Sequence, residues 1–157
     1  MAGFKKHAVN GNHMNLLIGT GNRFGGDDFI GSWVARNFEA EGWLSMDCGT
    51  VPENFTSEIR RLKPERIVIV DAADMGLEPG EIRIIDEGKI DEFTVSTHSI
   101  PLSVFVGYLR EFVEEVIIIG IQPKKFEGNP SEEVKRAGKR LIDILKEKDW
   151  MEKLQKL

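Results

Sequence analysis

The sequence has a single cysteine, Cys48, among 157 residues, only six prolines, and no apolar run of membrane-spanning length. One thiol excludes an intrachain disulfide and any multi-cysteine zinc or iron–sulfur site. The longest strongly apolar stretch late in the chain, Val116–Ile121, has the length of a buried strand and falls far short of the roughly 20 residues that cross a bilayer. No apolar segment with a cleavage pattern follows the lysines near the start, so no secretory signal is read and a cytoplasmic location is the default. Positive charge is not in excess: Lys+Arg 21 against Asp+Glu 26 gives a formal net charge of −5, which disfavours a nonspecific nucleic-acid binder. Also missing are an HExxH helix, a Gly-x-Ser-x-Gly elbow and a cysteine–histidine constellation.

What remains is a chain with 41% hydrophobic and 30% charged residues. At this length a single domain can bury roughly 70% of its extended surface, so no metal or disulfide is needed to complete a core. No repeat, low-complexity tract or linker divides it, and residues 1–157 read as one domain. Residues 1–14, which include His7 and His13, read as a polar leader, expected to be mobile.

Strands and helices alternate. Strands are expected at Leu16–Ile18, around Trp43–Met46, at Ile67–Val70, around Ile82–Ile85 and at Val116–Ile121, with Phe93–Ser96 as an edge hairpin. The β-branched run Ile67-Val68-Ile69-Val70 suits a central strand covered on both faces. Helices are expected over Phe29–Glu41, capped by Asp27 or Asp28 and stopped at Gly42, and over Phe55–Leu62. Two more follow: Pro101–Glu111 with Ser99 as cap, and a final helix capped by Ser131 with Val134, Ala137, Leu141 and Leu145 as its apolar stripe. The alternation predicts a three-layer α/β/α fold around a mixed, mostly parallel sheet of about five strands.

In open α/β sheets, sites form beyond the carboxyl ends of the strands. Polar clusters fall there at Gly19–Asp28, Asp71–Asp74 and Thr97–Ser99, with a fourth around Asp47. The first is a poor phosphate loop. Phe24 occupies the third glycine position of a dinucleotide fingerprint, Asp27 and Asp28 would repel phosphate, and no Walker lysine–hydroxyl pair follows. Metal chemistry is better matched: Asp28 and Asp71 offer hard oxygens, and His98 offers an imidazole suited to zinc, iron or nickel. Spacing alone leaves open that the acids merely cap helices and finish strands. Asp74 reads as a structural cap.

Five stretches in order, GTGNRFGGDDFIG, DCGT, VIVDAADMG, STHSIPLS and IIIGIQP, closely resemble the maturation endopeptidases of nickel–iron hydrogenases, especially the branch serving formate-hydrogenlyase-type and related membrane-bound enzymes. The resemblance spans about Leu16 to Pro123. It implies a processing endopeptidase that removes a C-terminal extension from a nickel-loaded large-subunit precursor, with nickel carried by the substrate rather than held as a permanent cofactor. It also implies metal contact by Asp28, Asp71 and His98, and catalytic roles for Asp47 and Asp71 in orienting water or moving a proton. The expected partner is that precursor, met transiently by a monomer. Two departures stand out: Phe29 replaces a glycine common after the acidic pair and is expected to narrow the cleft, and Cys48 replaces another and reads as a buried thiol. A noncatalytic metal-centre checkpoint or chaperone is the alternative, and a general carboxylate–metal hydrolase a further one.

Overall fold

The computed structural model describes residues 4–6, 14–95 and 98–157. His7 and His13 lie outside them, as do Ser96 and Thr97. Six strands, β1 (Phe4–Lys6), β2 (Asn15–Thr20), β3 (Trp43–Gly49), β4 (Arg66–Ala72), β5 (Ile82–Ile85) and β6 (Glu115–Ile121), form one sheet in the order β1-β3-β2-β4-β6-β5. The inner four are parallel, and the two edge strands run antiparallel to their neighbours. The sheet is thus mixed and mostly parallel, as expected, and the segment read as a polar leader contributes one of its edges. Too few apolar residues mark Phe4–Lys6 for periodicity to reveal a strand.

Side chains alternate across the pleat and divide the core in two. Leu16, Ile18, Leu44, Met46, Ile67, Ile69, Val116 and Ile118 face one layer, which includes α2 (Thr56–Leu62), α3 (Ile90–Phe93) and α4 (Leu102–Leu109). Leu17, Trp43, Val68, Val70, Ile119 and Ile121 face the other, built by α1 (Ile30–Asn37) and α5 (Glu132–Leu145), with α6 (Trp150–Lys153) at its margin. Inner strands buried on both faces explain why Ile67–Val70 reads as a continuous apolar run. The stripe Val134, Ala137, Leu141 and Leu145 is fully buried, as its spacing predicts.

The chain leaves β2 for β3 on one side and then crosses to β4 on the other. The crevice at this reversal opens beyond the carboxyl ends of β2 and β4, where such sheets bind ligands. α1 sits unusually close above it. A Cβ on Gly31 would stand 2.1 Å from the Val70 carbonyl oxygen and 2.3 Å from that of Thr20, and one on Gly19 would stand 2.1 Å from the Gly31 carbonyl oxygen. Two glycines therefore let helix and sheet backbones touch, which brings the start of α1 over the end of β4.

Several local expectations are corrected. Phe38 is extended, so α1 ends before Glu41, although Gly42 does turn the chain with a φ of +81°. Neither Asp27 nor Asp28 caps α1 through its side chain; both lie within a 3-10 turn, Gly26–Phe29. Phe93 ends a helix and does not start a hairpin, while Thr94 makes an isolated antiparallel bridge with Ala73. Pro101, not Ser99, occupies the cap position of α4. Ser131 is the cap residue of α5, but its hydroxyl goes elsewhere.

Candidate active site at the carboxyl ends of the strands

The adjacent acids Asp27 and Asp28 are both buried and have different partners. Asp27 Oδ2 accepts hydrogen bonds from the backbone N–H groups of Lys124 (2.8 Å) and Lys125 (3.0 Å) and from the Ser131 hydroxyl (2.9 Å). Its Oδ1 accepts the Ser131 N–H at 2.6 Å. Both oxygens are saturated, so Asp27 is a brace that fastens the first loop to the β6–α5 connection. Backbone bonds from Gly26 N–H to the Gly128 carbonyl and from Asp27 N–H to the Lys125 carbonyl reinforce it.

Asp28, 3% exposed, sits at the crevice and accepts the Asn22 N–H at 3.3 Å. Asp71 ends the buried run of β4 and is fully buried. Its Oδ1 accepts the Ala72 N–H at 2.9 Å, whereas Oδ2 accepts no hydrogen bond among the described residues and lies 3.5 Å from His98 Nε2. Burial, and then the Asp28 charge, push the Asp71 carboxyl well above its ordinary value; the Ala72 N–H and the Thr20 hydroxyl only partly oppose this. The His98 side chain is 1% exposed. Burial lowers its pKa, and the Glu53 carboxylate counteracts part of that shift. The 3.5 Å contact has the spacing of an ion pair, and burial opposes the charged form of both partners.

Asp71 is thus in contact with His98 and close enough to Asp28 to feel its charge. Two hard carboxylate oxygens and an imidazole nitrogen suit nickel, iron or zinc, and a buried acceptor with no donor is where a cation gains most. Among the described residues, no group of three or more His, Cys, Asp or Glu side chains is gathered so as to hold a metal ion. Asp47 is placed apart. On β3 it shares a parity with Trp43 and Ser45, on the α1 face, whereas Asp71 shares one with Ile67 and Ile69 on the opposite face. Its Oδ2 lies 2.6 Å from Arg36 Nε and its Oδ1 accepts the Gly49 N–H at 3.1 Å. The Gly49 carbonyl in turn accepts the Gly21 N–H at 3.0 Å. Asp47 thus ties two site loops together from the far side of the sheet.

Phe29 is half-buried and lies under the Arg36 guanidinium, 5.5 Å from ring centroid to Cζ, so its bulk supports the Arg36–Asp47 pair. Cys48 is buried, and burial together with Asp47 and Glu58 pushes its thiol up, which disfavours the nucleophilic thiolate. Asp74 is structural: its Oδ1 accepts from Gln122 Nε2 and the Gly76 N–H. Gln122 also accepts the Met75 N–H at 2.7 Å and so fastens the loop after β4 to the end of β6. Sequence reasoning passed over this glutamine and over Glu53. Their signal is a polar side chain inside an otherwise apolar or turn-forming motif, GIQP and VPEN.

Against known proteins, the sequence profile of the hydrogenase maturation protease family HycI matches residues 30–148. The hydrogenase 3 maturation protease of Escherichia coli strain K12 is 46% identical over 113 residues, which cover 69% of this chain and 72% of that protein. Among solved structures, a hydrogenase 3 maturation protease superposes with a TM-score of 0.81 at 37% identity, covering 92% of this chain and 97% of that one. The hydrogenase maturation protease HycI of Thermococcus kodakarensis KOD1 gives 0.74 at 33% identity, covering 85% and 90%. A shared profile over most of the chain, with the same fold at these identities, carries one conclusion: the chain belongs to the hydrogenase maturation protease family.

Proposed function

We propose that this protein is an endopeptidase that removes the C-terminal extension of a nickel–iron hydrogenase large-subunit precursor, and that nickel already bound to the precursor directs the cut. The observation that carries this reading is the buried contact of Asp71 with His98, beside Asp28, in which Asp71 Oδ2 accepts no hydrogen bond by distance and angle among the described residues. The imidazole offers a ring nitrogen, and a cation would relieve both the burial penalty on the Asp71 carboxylate and its repulsion by Asp28. The metal belongs to the substrate. It supplies Lewis acidity to the scissile carbonyl or to the attacking water.

In this scheme the water oxygen bonds to the carbonyl carbon, the C–N bond breaks, and one water proton passes to the leaving amine. Asp71 carries that proton between them: its Oδ1 is anchored by the Ala72 N–H, and its Oδ2, beside His98, accepts no hydrogen bond among the described residues. The water-orienting role expected of Asp47 becomes a positioning one, exercised through Gly49 and Gly21. One chain carries every group, so a monomer in transient complex with its precursor suffices. The nickel is cargo.

The test is the intact mass of matched precursor, nickel-loaded or nickel-free, after incubation with the protein. Loss of one defined C-terminal fragment from the loaded form only is expected. A loaded precursor that binds but keeps its full mass would refute the protease reading in favour of a checkpoint. Cleavage of unrelated peptides at comparable rates would point instead to a general hydrolase.

A further inference from the structure

Asp27 and Glu53 are both carboxylates that join distant loops, and the contrast between them is informative. Asp27 is saturated on both oxygens, as a purely structural brace should be. Glu53 is not: its Oε2 accepts the hydroxyl of Ser99, 46 residues away, while its Oε1 is buried and without a hydrogen-bond partner among the described residues. A carboxylate oxygen kept in that condition is uncommon in a merely structural role.

The neighbourhood shows what Glu53 holds. Ser99 directly follows His98, and its N–H donates to the Thr50 carbonyl at 3.2 Å. Both the backbone and the side chain of Ser99 are therefore fixed to segment 50–53, not to β4, which carries Asp71. Beyond His98 and Ser99 opens a cavity of about 310 Å³, bordered by Asp91, Thr94 and Leu102, so the loop has no packed wall on that side. Pro52, buried at the first position of the 3-10 turn Pro52–Phe55, has its own φ fixed for the turn. The Thr56 hydroxyl donates to the Glu53 carbonyl at 2.9 Å and secures the turn.

We propose that Glu53 is a positioning residue for the cleavage reaction: through Ser99 it clamps the His98 loop and sets where the imidazole stands relative to Asp71. This rests on the proposed function for its kinetic consequence and on geometry alone for its structural one. The clamp couples the loop after β3 to the site, which gives the VPEN segment a purpose that its spacing does not reveal.

The experiment compares Glu53→Ala, Glu53→Gln, Ser99→Ala and the double variant Glu53→Ala/Ser99→Ala in the full chain. Readouts are the cleavage rate of nickel-loaded precursor, the urea-unfolding midpoint, and the 15N signals of the His98 ring. Glu53→Ala and Ser99→Ala are each expected to lower kcat by about 10–100-fold with KM little changed, as for other residues that orient a ligand through a neighbour. The double variant should be no slower than the slower single, because both break one contact. Glu53→Gln keeps an acceptor for the Ser99 hydroxyl and should recover to within a few-fold. The His98 ring signals should be single in the wild type and the glutamine variant, and broadened or doubled in Glu53→Ala. Wild-type rates and unchanged ring signals in Glu53→Ala would overturn the clamp. A slow glutamine variant beside a fully active Ser99→Ala would also overturn it, since Glu53 would then act on the reacting atoms directly. If the wild type cuts no precursor, the proposed function fails while the ring signals still decide the clamp.

Discussion

Replacing Asp27 by alanine should cost a large share of the stability margin of this fold. The substitution strands three backbone donors, Lys124 N–H, Lys125 N–H and Ser131 N–H, together with the Ser131 hydroxyl, around a carboxylate site that is fully buried. Each buried donor left without an acceptor costs about 1–3 kcal/mol. Partial relaxation of the 124–131 loop makes these losses less than additive, which gives about 3–6 kcal/mol in all. Total stabilities of such domains are about 5–15 kcal/mol, so the variant should unfold at a much lower urea concentration with an unchanged slope. Asp27→Asn is the sharper probe. With its oxygen in the Oδ2 position it keeps Lys124, Lys125 and the Ser131 hydroxyl and only turns an NH2 group toward the Ser131 N–H, costing about 1–3 kcal/mol. Urea midpoints for both, with amide exchange at Lys124 and Lys125, measure this directly. A loss below about 1 kcal/mol for alanine, or an asparagine variant no better than alanine, would refute the assignment of Asp27 as a saturated brace.

The neighbouring acid should behave in the opposite way. Asp28→Asn removes the charge that pushes Asp71 up, so the Asp71 carboxyl, followed by 13C NMR, should titrate closer to its ordinary value; precursor cleavage should be lost while the thermal midpoint holds or rises. The two shifted groups also set a pH dependence. His98 is held below its ordinary 6.5, so its contribution to stability is present above that value and is lost as pH falls toward the folded pKa; His98→Gln should flatten that acid limb in urea midpoints. Asp71 is held above its ordinary 3.8, so its contribution is present below that value and is lost as pH rises through the folded pKa. Asp71→Asn should therefore be more stable than the wild type at about pH 8.

Much of this fold is legible in residue order. The five expected strands and the main helices occupy nearly the expected positions because buried inner strands produce continuous apolar runs and α5 produces a clean stripe. What is not legible is mostly long-range. Ser131 is at the cap position, but its hydroxyl serves Asp27, 104 residues away. Ser99 is a plausible cap by type, yet its hydroxyl serves Glu53. Small polar residues signal that a local backbone group needs a partner, and distant carboxylates compete for the same hydroxyls. The edge strand Phe4–Lys6 is likewise invisible, since it derives its place from pairing with Leu44–Met46 and not from a pattern of its own.

Asp47 shows what order and spacing leave out about a site. It ends a strand in the same way as Asp71, and β3 and β4 both flank β2, with Gly19 in register with Asp47 on one side and Val70 on the other. By position alone the two acids belong together. Parity separates them: the buried partners of β3 place 43, 45 and 47 on the α1 face, and those of β4 place 67, 69 and 71 on the opposite face. The same argument puts His98 with Asp71, because its loop lies beside Leu102 and the α4 layer. Asp28 comes from the α1 side, and Gly19 and Gly31, which let α1 rest directly on the sheet, bring it near enough for its charge to act on Asp71. The proposed site thus draws on residues from both layers at the carboxyl ends of β2 and β4. Asp47 is bonded instead to Arg36 and to the Gly49 N–H, on the other face of the sheet from Asp71.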